Sequence, residues 1–321
     1  VRKRVWSSDL CDGFDIPMEL LPPIYPATQV LGNLRTEAAE LLGLSTSTKV
    51  ILGSGDEHAA CLGAGVTEPG LICDIAGTAE PVCASSTSAL FDESGLVETH
   101  CHADPDLWLL ENPGFVSGAN YRWFRDQFSS QEMAQNVNAY ALLDDEAATV
   151  PPGSDGLIML PCLMGAMAPT WNAVARGTFM GFTLAHRHAH FARAVLEASA
   201  YAIRDITGQM LQMGLPLKEI RAVGGGARSP LWRQIKADVT GLPVSLTDTI
   251  ETTALGAGML ALTGSGMVDS LDEAVSLTTH VIETRDPNPE TRPVYEEYYQ
   301  LYRASYFSLL PIFEQAARIN S

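Results

Sequence analysis

A short apolar run that breaks at glycine and restarts at helical spacing occurs at three places in this chain, and that change of period restricts the fold to alternating strands and helices. The first instance is Val50-Ile51-Leu52-Gly53-Ser54-Gly55-Asp56-Glu57-His58-Ala59-Ala60. Val50 to Leu52 has the β-branched look of a buried strand, and Ala59-Ala60-Cys61-Leu62 reads as a helix packed close to it. Asp56 arrives at the junction. A carboxylate there can face the cleft at the carboxyl edge of an open sheet, where ligands bind, or it can simply cap the helix.

The other two instances are Ile220 to Val239 and Val244 to Leu262, each a strand, a turn and a helix. Between them and the first lie Gly70 to Thr78 and Pro81 to Ala84, two strands joined across a glycine, and further strand-like alternation from Leu96 to Leu110. Gly118 to Phe128 opens a helix, Gly153 to Leu163 reads as a strand, and Thr183 to Met213 has the spacing of the longest helix in the chain. Val294 to Ala317 is a further long, aromatic-bearing helix, whereas Trp6 to Glu19 reads as a loop-bearing connector. The pattern is α/β, with a sheet covered on both faces and a domain boundary between Ala64 and Gly70.

Composition narrows the partners. The 321 residues carry a net charge of −18, so nucleic acid and anionic membrane surfaces are disfavoured and a small molecule is expected. No run reaches the length of a membrane-spanning helix. Cys11, Cys61, Cys73, Cys83, Cys101 and Cys162 lack CxxC spacing and read as reduced thiols of a cytoplasmic protein. The chain does not begin with Met, and Val1-Arg2-Lys3-Arg4-Val5-Trp6 reads like the middle of a longer sequence.

Three glycine-bearing turns call for a physical reason. Gly224-Gly225-Gly226-Ala227-Arg228-Ser229 follows an apolar strand and opens a helix, an arrangement that brings backbone flush against a ligand and points amides at it. It is neither the dinucleotide fingerprint nor a Walker A loop. Gly77-Thr78, between two strands, offers an amide and a hydroxyl to a terminal phosphate. Glu251-Thr252-Thr253-Ala254-Leu255-Gly256-Ala257-Gly258 starts a helix with small residues that let another element come close.

In this order the motifs resemble the sugar-kinase family named for its FGGY signature. Gly53-Ser54-Gly55-Asp56-Glu57-His58-Ala59-Ala60 is similar to that family's Gly-x-x-Asp-x-x-Ala-Ala, Gly77-Thr78 to its phosphate-binding Gly-Thr, and Gly118 to a glycine near the nucleotide. Gly225, Gly226 and Ala227 fall on the adenosine-binding turn, and Ser229-Pro230-Leu231-Trp232-Arg233-Gln234 is especially similar to the xylulose kinases of the family. The resemblance runs from about Trp6 to the C-terminus and implies a ribonuclease H-like, actin-type ATPase fold. Residues 1–66 would be the end of the N-terminal kinase domain, and 67–321 the nucleotide-binding C-terminal one.

The resemblance implies transfer of the γ-phosphate of ATP, with Mg²⁺, to a sugar hydroxyl. Asp56 would be the general base, with Asp56 and Glu57 at the substrate, and Gly77, Thr78, Gly118, Gly225, Gly226, Ala227 and Ser229 at the nucleotide. The expected sugar is a pentulose, foremost D-xylulose; ribulose, a polyol or a sugar acid is the alternative, as is a nucleotide-binding protein of the same fold without turnover. A homodimer is the general expectation. Two departures stand out: Gly165-Ala166-Met167-Ala168-Pro169 where many relatives read Gly-Glu-Arg-x-Pro, and Ala79-Glu80 where Ser-Gly is usual.

No metal-ligand set is expected. His186 and His190 share a helix face without a third ligand, and His100 and His102 share a strand face without partners. Tyr295, Tyr298, Tyr299 and Tyr302 fall at helical spacing and read as packing.

Overall fold

A computed structural model describes residues 1–320. The N-terminal part carries helix α1 (Ser8–Gly13), strand β1 (Val30–Asn33), helix α2 (Thr36–Leu42), strand β2 (Lys49–Ile51) and helix α3 (Asp56–Gly63). Strands β3 (Leu71–Ile75), β4 (Ala79–Ser86), β5 (Glu98–Cys101) and β6 (Trp108–Val116) follow, then helices α4 (Gly118–Phe128), α5 (Gln131–Ala134) and α6 (Ala139–Ala148). A small pair, β7 (Ile158–Leu160) and β8 (Thr178–Met180), precedes helix α7 (His188–Gln212). The last third runs β9 (Glu219–Val223), α8 (Pro230–Thr240), β10 (Val244–Thr247), α9 (Thr252–Ser265), α10 (Leu271–Thr278), β11 (Val281–Arg285) and α11 (Arg292–Asn320).

Seven strands form one mixed sheet in the order β11-β10-β9-β3-β4-β6-β5. Its centre, β10-β9-β3, is parallel, as the strand-helix alternation of the sequence requires, while β4, β6 and β5 add as antiparallel neighbours. The hairpin expected around Gly77-Thr78 is present, with Ile72 opposite Ala84 and Asp74 opposite Val82. Helix α7 is buried along most of its length and packs with α8, α4 and α11 into a core containing Tyr201, Trp232, Tyr295, Tyr302 and Tyr306. Buried Arg193 bonds Glu197 at 2.8 Å, and Glu197 also accepts from Gly153 N, Ser154 Oγ and Tyr295 Oη. The helical tyrosines are therefore packing residues, several of which also satisfy buried acids.

Four expectations are corrected. Trp6 to Glu19 is not only loop, since Ser7 caps α1 by accepting from Leu10 N. The strand at Val50 to Leu52 is not buried: β2 pairs with β1 alone in a two-stranded sheet, α9 covers one face, and Leu52 remains 43% exposed. The strand inside Gly153 to Leu163 is only β7, outside the main sheet. Helix α7, at 25 residues, is shorter than α11, at 29, because helical spacing alone does not locate ends.

The small residues of α9 have a visible purpose. A Cβ on Gly256 would lie 1.9 Å from Ala59 O, and one on Gly63 would lie 1.9 Å from Thr252 O, so α3 and α9 cross backbone to backbone. That contact holds the helix that begins at Asp56. Gly256→Ala is expected to destabilise the protein by about 1–3 kcal/mol through overpacking. Gly258→Ala, two residues on, meets nothing within 4 Å and is expected to be neutral or to stabilise by about 0.5–1 kcal/mol through helix propensity. Thermal unfolding of the two variants distinguishes a packing glycine from a tolerated one.

Candidate functional site

A cavity of about 600 Å³ opens where the β3–β4 turn, the start of α4 and the β9–α8 connection meet. Gly77, Thr78, Gly118, Gly225, Gly226 and Ser229 all line it. Residues separated by up to about 150 positions in sequence thus share one wall, for stated steric reasons. A Cβ on Gly118 would lie 2.1 Å from Gly77 O, so the N-terminus of α4 abuts the β3–β4 turn, and Ala119 N donates to Thr78 O at 3.1 Å. Gly226 N donates to Ala76 O at 2.9 Å, and a Cβ there would press on the Ala76 side chain at 2.7 Å. Gly224 takes φ +80°, a backbone conformation that side chains disfavour.

The individual roles separate on inspection. Thr78 is exposed, and among the described residues its hydroxyl and its N–H have no hydrogen-bond partner, which leaves both for a ligand. The Gly77 N–H, by contrast, donates to Ile75 O and Ala79 O and is already engaged. Ser229 lines the cavity, but its Oγ accepts from Trp232 N at 3.0 Å and caps α8. Ala227 is buried in the core under the turn and does not line the cavity, so it shapes the site from beneath.

Sequence reading missed several lining residues. Arg122 and Arg228 are exposed on the cavity wall and make no ion pair with a carboxylate among the described residues. Two cations free for an anion in a chain of net charge −18 are the signal that adjacency to Gly118 and Gly226 offered. Tyr121, Tyr140 and Trp232 add an aromatic wall, with ring centroids 5.6 and 6.0 Å from Tyr121, suited to a planar ring. Asp144 accepts from Tyr121 Oη at 2.9 Å, and burial raises its pKa from the usual carboxylate value.

Behind the β3–β4 turn, Lys236 of α8 is buried and ion-paired to both Asp74 of β3 and Glu80 of β4. Burial works against the ammonium, yet the two carboxylates raise its pKa above that of a free lysine. Asp74 is pushed well above the carboxylate range by burial, against the pull of Lys236 and with that of Glu80. One buried ammonium faces two buried acids, and each is tolerated in the core only while its partners are in place. The departure from Ser-Gly after Gly77-Thr78 thus has a structural reason, because Glu80 ties the turn to α8.

Asp56 and Glu57 lie apart from the cavity lining. Gly55 occupies the N-cap of α3 and Asp56 is the first helical residue, exposed, its Oδ1 accepting from Glu57 N at 3.1 Å. The capping role is therefore corrected, and the carboxylate remains open to solvent. Glu57 faces Glu111 of β6, and burial, then its hydrogen bond to Glu111, pushes its pKa up to about 8. Burial also works against Glu111, but hydrogen bonds from His58 and Glu57 hold it down to about 2.

The C-terminal domain profile of the FGGY family of carbohydrate kinases matches residues 74–265, and the N-terminal domain profile matches residues 1–63. The chain belongs to the FGGY family. It is 30% identical over 302 residues to a xylulose kinase of Staphylococcus epidermidis, covering 94% of this chain and 59% of that protein. It is 32% identical over 273 residues to a gluconokinase of Bacillus subtilis, covering 83% and 53%. Among solved structures, xylulose kinase from Rhodospirillum rubrum superposes with a TM-score of 0.85 at 33% identity, covering 96% of this chain and 61% of that one. The fold is the actin-like, ribonuclease H-like ATPase fold of FGGY kinases, and the chain spans between about half and three fifths of the length of these relatives. Among the described residues no helix is long and apolar enough to cross a membrane, and all six cysteines are free.

Two substitutions probe this FGGY site. An added Cβ at Gly225 meets nothing within 4 Å of protein, so Gly225→Val is expected to leave the melting temperature within about 2 °C while raising KM for nucleotide roughly tenfold or more. Steady-state kinetics beside thermal unfolding measures both. Lys236→Met strands two buried carboxylates and is expected to cost about 3–5 kcal/mol, read by denaturant unfolding.

Proposed function

We propose that the protein transfers the γ-phosphate of ATP to a hydroxyl of a pentulose, foremost D-xylulose, giving D-xylulose 5-phosphate. The observation that carries this reading is the cavity that unites Gly77, Thr78, Gly118, Gly225, Gly226 and Ser229 with an aromatic wall and two arginines that have no carboxylate partner among the described residues. Such a wall suits the adenine ring, and the arginines suit the phosphates. The similarity to xylulose kinases supports the pentulose, while comparable similarity to a gluconokinase keeps a sugar acid as the second candidate.

In this mechanism Asp56, exposed at the start of α3, takes the proton of the sugar hydroxyl as its oxygen attacks the γ-phosphorus. Glu57, whose proton is held in its hydrogen bond to Glu111, has its other oxygen left to accept from a substrate hydroxyl. The free hydroxyl and amide of Thr78 receive the transferring phosphoryl oxygens. Mg²⁺ accompanying the nucleotide would supply charge neutralisation to its phosphates. We assign residues 1–66 to the end of the N-terminal kinase domain and 67–321 to the nucleotide-binding domain, with the cleft between them, and place the protein in the cytoplasm.

The test is ADP release by the complete polypeptide with ATP, Mg²⁺ and, separately, D-xylulose, D-ribulose, L-ribulose, glycerol and gluconate. Selective release with D-xylulose is expected, and selective release with gluconate reassigns the substrate. Asp56→Ala is expected to lower kcat roughly 10³-fold with nucleotide affinity retained. Full activity in that variant would sink the mechanism.

A further inference from the structure

His58 of α3, His100 of β5 and Glu111 of β6 converge from three separate elements, with one donor atom from each lying within 4.8 Å of the other two. His58 Nε2 lies 3.7 Å and His100 Nε2 lies 3.6 Å from the same Glu111 oxygen, Oε2. Nitrogen and oxygen ligands bound tetrahedrally at about 2.0–2.2 Å sit roughly 3.3–3.6 Å apart, so these separations need little adjustment to close on one ion. The expectation that His100 lacks partners is thereby corrected: the topology that pairs β5 with β6 places His100 beside Glu111, and the first turn of α3 brings in His58. His102, its neighbour on the strand face, turns into the core and accepts from Asp104 N instead.

We infer that His58, His100 and Glu111 bind a divalent transition metal ion of the Zn²⁺ class. Two imidazoles and a carboxylate suit a borderline ion and disfavour Mg²⁺, which takes oxygen ligands. The fourth position is left to water, since Glu98 Oε2 lies 3.1 Å from His100 Nε2 but Glu98 is not among the three residues whose donor atoms all lie within 4.8 Å of one another. Among the described residues Glu98 and Glu111 meet histidines and no lysine or arginine, so no fixed side-chain cation takes the place of a metal ion there. Glu111 is buried, whereas His58 and His100 keep 25% and 37% of their side chains exposed, which gives the ion a route in. A bound ion would join α3 to β5 and β6 two residues from Asp56, and so staple the start of that helix to the sheet.

Protein stripped with a chelator and titrated with Zn²⁺ alone by calorimetry tests this without reference to kinase activity. One equivalent per chain is expected, with a rise in melting temperature on saturation. His100→Ala and Glu111→Gln, each first shown to be folded by its circular dichroism, are expected to weaken binding roughly a hundredfold or more and to abolish the thermal shift. His186→Ala is the control, because His186 and His190 also lie ring to ring at 5.0 Å. Absence of Zn²⁺ uptake by the wild type, uptake unchanged in His100→Ala, or uptake lost only in His186→Ala would overturn the site, and none of these results bears on the phosphotransfer reading.

Discussion

The buried contact of Lys236 with Asp74 and Glu80 is the interaction on which the site depends. The two acids lie on β3 and β4, either side of the Gly77-Thr78 turn, and the lysine lies on the helix that follows the triple glycine. One ammonium therefore fixes the distance between the two loops that frame the cavity. Removing an ammonium from water is costly, and the cost is offset only while both carboxylates hold their geometry. Such a contact contributes little net stability but penalises displacement of the turn, which is what a phosphate cradle needs.

Close backbone approach does the remaining positioning. Gly118 against Gly77, Gly226 against Ala76 and Gly256 against Ala59 are all places where a β-carbon would collide. Three loops can share one wall because a glycine stands on at least one side of each contact. The same device serves a different end at α3 and α9, where it holds the helix bearing Asp56 against the C-terminal part of the chain.

Charge is distributed unevenly over this frame. The cavity exposes Arg122 and Arg228, which have no carboxylate partner among the described residues, whereas the start of α3 gathers Asp56, Glu57, Glu98 and Glu111 around two histidines. Cations at one place and acids at another, in a chain of net charge −18, make one region receptive to phosphate and the other to a proton or a metal ion.

Much of the fold was legible in the sequence because it depends on local signals: the change of period at Val223-Gly224, the hairpin at Gly77-Thr78 and the helical spacing of α7 are carried by neighbouring residues. The glycines of the cavity were legible for the same reason, since each serves a turn. The partial exposure of β2, the engaged amide of Gly77, the buried position of Ala227 and the pairing of Glu80 with Lys236 were not, because each depends on what packs against it from a distant part of the chain. His58, His100 and Glu111 stand furthest from sequence reading. Their spacing of 42 and 11 residues has no period that signals a site, and only the order of β4, β6 and β5 in the sheet, with α3 laid beside them, sets the three side chains around one point. The sequence by itself determined most of the strands and helices around the site and where the backbone must be bare; the tertiary structure alone decided which charges meet, because electrostatic partners act through space rather than along the chain.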